Sequence, residues 1–177
     1  IQSWVALPNA HEETAPDFQH VGAASLPTVD RPGARLRVIA GTAYGETSPV
    51  RVLSPTFYVE ARLDAGAELR LPEADEHAER AAYVVEGAVA FDGTRAESGT
   101  MAIAENGTAA SLRAEQPSRV MLLGGAPLGT RYIWWNFVSS SEERIERAKR
   151  EWKEGAFPRI PGDDVEFIPL PEEPRHT

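Results

Sequence analysis

Residues 56–64 read TFYVEARLD, and their alternation decides the fold class: Phe57, Val59, Ala61 and Leu63 take one side, and Thr56, Tyr58, Glu60, Arg62 and Asp64 the other. Successive side chains of a strand point to opposite faces, so this period of two predicts a strand with one face in a core. Outward from it, similar short runs occur at 36–40, 81–86, 89–91, 111–114, 119–123 and 132–138. Turn signals separate them at Asp64-Ala65-Gly66, Glu86-Gly87, Asp92-Gly93, Glu97-Ser98-Gly99, Asn106-Gly107 and Gly124-Gly125. Strands this short and this regularly spaced predict an all-β protein, an antiparallel sandwich or barrel.

The flanks have a different grammar. Residues 1–30 hold one apolar run, Trp4 to Leu7, and then a proline-punctuated stretch with little periodicity. They are expected to be the end of a preceding unit and a connector, leaving 31–138 for the barrel. In SSSEERIERAKREWKEGAF, residues 139–157, Ser140 and Glu143 have capping-box spacing, and Ile145, Ala148 and Trp152 share one helical face. Gly155 suits a C-cap and Pro158 a stop, so 139–177 is expected to be a helix and an extended tail. The tail's Phe167-Ile168-Pro169-Leu170 patch needs something to pack on. Strand alternation through Trp134-Trp135 predicts indoles on opposite sides.

The chain has 177 residues, 42% of them hydrophobic and 25% charged, the composition of an ordinary globular domain. Eighteen Lys and Arg against 27 Asp and Glu give a net charge of -9, which opposes direct binding to nucleic acid. There is no cysteine, which excludes disulfides, thiol catalysis and thiolate-held metals. No apolar run approaches the roughly 20 residues of a membrane span and no secretory leader opens the chain. A cytoplasmic protein without membrane partners is therefore expected, with Asn106-Gly107-Thr108 a turn rather than a glycosylation site. The first residue is Ile1 and the only methionines are Met101 and Met121, so further sequence upstream is expected.

The stretch 69–87, LRLPEADEHAERAAYVVEG, begins and ends like the first metal-binding hairpin of a cupin, a jelly-roll barrel. That hairpin runs Gly, five residues, His, one, His, three or four, Glu, six, Gly; the second runs Gly, five, Pro, one, Gly, two, His. Residues two apart face the same side, which brings such ligands into one interior. Counted from Gly66, the histidine positions are Pro72 and Ala74 and the carboxylate position is Glu79; counted back from Gly87, it is Arg80. In the second hairpin, from Gly99, Glu105 stands for proline, Gly107 is as required, and Ala110 stands for the last histidine. No metal-ligating, catalytic or cofactor-binding residue is therefore assigned. His77, in the polar run ADEHAER, is expected in an exposed loop, and one imidazole does not make a metal site. His11, His20 and His176 lie in the connector and tail, and His11-Glu12-Glu13 lacks the second histidine of a helical zinc motif. Ser139, Ser140 and Ser141 are expected to cap the helix rather than act as nucleophiles, and Asp163, Asp164 and Glu166 to form a solvated acidic face.

Longer stretches carry a family resemblance. QSWVALP with HEETAPDFQH, SPTFYVEARLDAGAEL, RAAYVVEGAVAFDG, LLGGAPLG and IWWNFVSSSEERIERAKREWKEGAFPRIPGDDVEFIPLP together make the chain resemble the C-terminal portion of a bacterial pirin, a two-barrel bicupin. The resemblance implies a cupin-type double-stranded β-helix with a C-terminal helix. It also implies an N-terminal barrel holding Fe(II) through three histidines and a glutamate, none of which maps onto these residues. Family members include quercetin 2,3-dioxygenases and an iron-dependent transcriptional co-regulator. The chain is then expected to be the metal-free structural half of such a protein, inactive alone, with the N-terminal barrel as its partner. The alternative is a stand-alone, non-enzymatic cupin module binding a small molecule or a protein.

Overall fold

The computed structural model describes residues 1–73, 75, 77–162 and 165–171. Ala74, Asp163, Asp164 and His176 lie outside the described residues. The strands are β1 (Thr28–Arg31), β2 (Ala34–Ala43), β3 (Glu46–Thr47), β4 (Thr56–Leu63), β5 (Glu68–Arg70), β6 (Glu79–Glu86), β7 (Ala88–Phe91), β8 (Thr94–Glu97), β9 (Met101–Ile103), β10 (Ser111–Ala114), β11 (Ser118–Gly125), β12 (Tyr132–Trp134) and β13 (Phe137–Ser139). One α-helix, α1 (Glu142–Lys153), follows. Contacts divide the chain into two compact units, Thr14–Pro127 and Ile1–Glu13 with Leu128–Thr177.

In the first unit, antiparallel strands build two sheets, ordered β1-β2-β4-β11-β6-β9, with β3 on β2, and β5-β10-β7-β8. Their inner faces share one core: Leu36, Val38, Phe57, Val59, Ala61, Ala82, Val84, Val120 and Leu122 from the larger sheet meet Leu69, Val89, Phe91, Leu112 and Ala114 from the smaller. This is the expected jelly-roll barrel. The alternation of residues 56–63 holds, with Phe57, Val59 and Ala61 fully buried. Removing each larger side chain from water contributes roughly 1.5–3 kcal/mol, which selects this register over a one-residue slip. Gly87, between β6 and β7, has φ +86°, and a Cβ there would lie 2.3 Å from Ser118 Oγ and 2.6 Å from the Pro117 carbonyl oxygen. Only glycine turns the chain at that point.

The second unit corrects two expectations. Residues 132–138 are not one strand: β12 and β13 pair as a hairpin, Trp134 opposite Phe137, with Trp135 at the turn at φ +50°. The turn breaks the alternation, so both indoles join one aromatic cluster, Trp135 edge-on to Trp134 at 6.3 Å and to Trp152 at 5.3 Å. Phe167 stacks on Trp152 at 5.7 Å, and the Trp152 indole N–H donates to the Ile168 carbonyl at 2.8 Å, so helix α1 supplies the tail's packing surface. The N-cap is Ser141, not Ser140: its hydroxyl accepts from the Arg144 amide at 3.3 Å and donates to Glu143 at 2.7 Å. Ser140 instead gives its amide (2.9 Å) and hydroxyl (2.7 Å) to Glu12, which also pairs with Arg131 at 3.1 Å. Ile145 and Ala148 are buried on the face of α1 that the sequence selects, and Gly155, past the C-cap, has φ +65°. No helix among the described residues is long and apolar enough to cross a membrane.

Candidate functional site

Strand β6 settles the carboxylate position that the two glycine counts left open. Arg80, Ala82 and Val84 face inward, and Arg80 is only 2% exposed, whereas Glu79 is exposed. The count from Gly87 is the one the fold uses, because the turn at Gly87 ends β6 and fixes its phase. The side chain pointing into the barrel is thus a guanidinium, opposite in charge to the carboxylate of the pattern. It donates through Nη1 to the Pro72 carbonyl at 3.2 Å and through Nη2 to the Thr108 carbonyl. Its Nε is buried without a partner.

Of the other positions, Pro72 and Ala110 lie on adjoining segments. Pro72, the first histidine position in the count from Gly66, follows Leu71, whose amide donates to the Ala110 carbonyl at 2.9 Å. Ala110, at the last histidine position, is buried in the core. The turn before it is closed by Thr108, whose amide (3.3 Å) and hydroxyl (2.9 Å) donate to the Glu105 carbonyl. One first-hairpin position and one second-hairpin residue therefore offer backbone carbonyls to Arg80, while their neighbours close the strand ladder. Proline and alanine side chains have no lone pair to give a metal, and a fixed cation in their midst repels a second one. The residues at these positions do not fit the iron centre the two-hairpin pattern implies. Among the described residues, no group of three or more His, Asp or Glu is placed to hold a metal ion.

His77 is not in an exposed loop. It is 6% exposed and packs edge-to-face on Phe57, with ring centroids 5.0 Å apart. The polar letters around it conceal that the chain turns inward before β6, where an imidazole completes the aromatic packing. His11 lies in a single 3-10 turn, Asn9–His11, and both it and His20 are exposed. Glu166 is exposed. Ser139 is buried, with its hydroxyl accepting from the Ser141 amide at 3.2 Å, and all three serines act on backbone or carboxylate partners.

A second constellation escapes a motif search. Glu60, 5% exposed, lies on the outer face of β4 and accepts from Arg119 at 2.8 Å, Arg62 at 3.2 Å and Arg37 at 3.3 Å. The signal was available as alternation alone: Arg37, Glu60 and Arg119 all fall on outward positions of adjacent strands.

With this geometry in view, comparison with known proteins is decisive. The Pirin C-terminal cupin domain matches residues 58–158. The chain belongs to the pirin family. A pirin-like protein of Caulobacter vibrioides is 47% identical over 173 residues, covering 97% of this chain and 59% of the relative. Two crystal structures of quercetin 2,3-dioxygenase from Acinetobacter baumannii share the fold. One has TM-score 0.84 and 26% identity over 98% of this chain and 58% of its own; the other has 0.78 and 30% over 87% and 55%. The chain thus spans less than two thirds of the length of these pirin relatives, and what it matches is the pirin C-terminal cupin.

Proposed function

We propose that these residues form the metal-free structural cupin of a pirin-like protein whose iron chemistry, of the quercetin 2,3-dioxygenase kind or as a redox regulator, belongs to a separate N-terminal barrel. The observation that carries this reading is Arg80: a guanidinium bound to the Pro72 and Thr108 carbonyls stands where a metal-ligating carboxylate would enter the barrel. A resident cation and apolar neighbours make a stable interior but give oxygen chemistry no open coordination position. Likeness to longer dioxygenases, of which the chain covers only 55% and 58%, supports the division of labour. On this reading the N-terminal barrel is the principal partner, and exposed apolar residues such as Trp4, Val5, Phe167 and Ile168 are surface it has available to cover.

The test is elemental analysis of the chain after incubation with Fe(II) and dialysis, with quercetin turnover measured alongside. Well under one metal per chain, and no cleavage above a metal-only control, is the expected result. One full equivalent of iron that disappears in His77→Ala would overturn the reading.

A further inference from the structure

The outer face of the larger sheet carries an arrangement that strand pairing ordinarily avoids. Arg35 of β2 lies directly opposite Arg62 of β4, and Arg62 lies directly opposite Arg119 of β11. Like charges directly opposite one another destabilise a sheet. One buried carboxylate, Glu60, serves Arg37, Arg62 and Arg119 together, so it neutralises a single charge among three. Arg35 has Asp30 at 3.7 Å, and Arg119 has Glu86 at 3.9 Å, both at the long end of ion pairing. Beside this row is an open cleft of about 460 Å³, lined by Arg31, Arg35, Arg62 and Arg119 against only Asp64 and Glu86. The excess of positive charge is local, since the chain as a whole carries -9.

We propose that this cleft binds a small ligand bearing two adjacent anionic groups, phosphates or carboxylates. Neighbouring strands are roughly 4.8 Å apart, so the row presents guanidinium stems over roughly 10 Å, the span of a diphosphate or a compact polycarboxylate. Guanidinium forks match such oxygens in bidentate pairs, and here they are pre-positioned, because Glu60 holds two of them by their inner edges while Arg62 remains 63% exposed. A ligand would supply the negative charge that the row lacks.

The experiment is titration calorimetry of this chain at low ionic strength with pyrophosphate and, separately, citrate. Arg35→Glu is the test variant, since Arg35 is 67% exposed and does not touch Glu60. Arg113→Glu, an equally charged change at a 59% exposed site on β10, is the control. Saturable one-to-one binding of at least one probe is expected, weakened at least tenfold in Arg35→Glu and less than twofold in Arg113→Glu. Preference for pyrophosphate assigns a phosphate ligand, and preference for citrate a carboxylate ligand. No saturable binding of either probe, or equal weakening in both variants, overturns the proposal.

Discussion

Two charged side chains, one on each face of the same sheet, solve burial in opposite ways. Arg80 enters the barrel from β6 and is received by neutral carbonyl dipoles, whereas Glu60 leaves β4 on the outside and is received by three arginines. The interior solution is shielded from solvent, with Arg80 only 2% exposed and its partners the backbone carbonyls of two residues just outside β5 and β10. The exterior one is built from side chains 38–63% exposed, so water and salt share in it. The difference teaches that a buried charge is not one kind of object: its cost and its response to solvent depend on what receives it.

The largest break in this comparison is expected inside. Arg80→Ala leaves two carbonyls unreceived and a void in the core, a loss of roughly 2–5 kcal/mol by denaturant unfolding. Arg80→Met fills the space without the charge and should recover at least half of that loss. If Met proves as damaging as Ala, the guanidinium's bonds matter more than its volume. Outside, Glu60→Gln should cost less, about 1–2 kcal/mol, because the freed arginines can rehydrate. Added salt should restore part of the Glu60→Gln loss by screening the arginine row and should leave the Arg80 variants unmoved. Salt rescue of both, or of neither, would erase the distinction between the two faces.

Smaller effects belong to the second unit. Ser141→Ala removes the hydroxyl that caps α1 and should cost about 1 kcal/mol of that unit's stability. All four tryptophans, Trp4, Trp134, Trp135 and Trp152, lie in this unit, so indole emission reports its unfolding separately from the barrel. The smallest effect is with pH. The Arg144 hydrogen bond holds the Glu13 carboxyl below its usual range, and the Ser141 hydroxyl does the same for Glu143. Both favour the charged form in the folded state, so their contribution is fully present above the ordinary carboxylate range and fades as pH falls through the depressed values. Tryptophan emission should therefore show a shallow acid-side loss of stability that Glu13→Gln reduces, and a profile that is the same in that variant would remove the carboxylate from the account.

What the sequence made legible follows from which physics is local. Alternation at 56–63 is a property of one strand, and it places Phe57, Val59 and Ala61 in the core without knowledge of any partner. The empty ligand positions are equally plain, since Pro72 and Ala110 lack lone pairs in any fold. The phase of β6 was not legible, because two glycine counts differed by one residue and only the folded strand, running into the turn at Gly87, shows Arg80 buried and Glu79 exposed. His77 was misplaced because ADEHAER is polar in letters, while its burial against Phe57 comes from a strand that ends fourteen residues earlier. The strands β3, β5 and β9, two or three residues long, are too short for a period to show, and Trp135 breaks alternation through a left-handed φ that no neighbouring Gly announces.

Gly87 bears on how such a barrel can diverge. Any side chain there collides with Ser118 and Pro117, so a replacement must shift the backbone of two strands at once. An inward residue such as Arg80 or Ala110 can be exchanged with its backbone bonds left in place. Descent from a common barrel is therefore free to rewrite the contents of the interior one codon at a time while the hinge glycine stays fixed by sterics. A search keyed to glycine spacing finds the vessel; whether anything reacts inside it must be asked of the inward positions themselves.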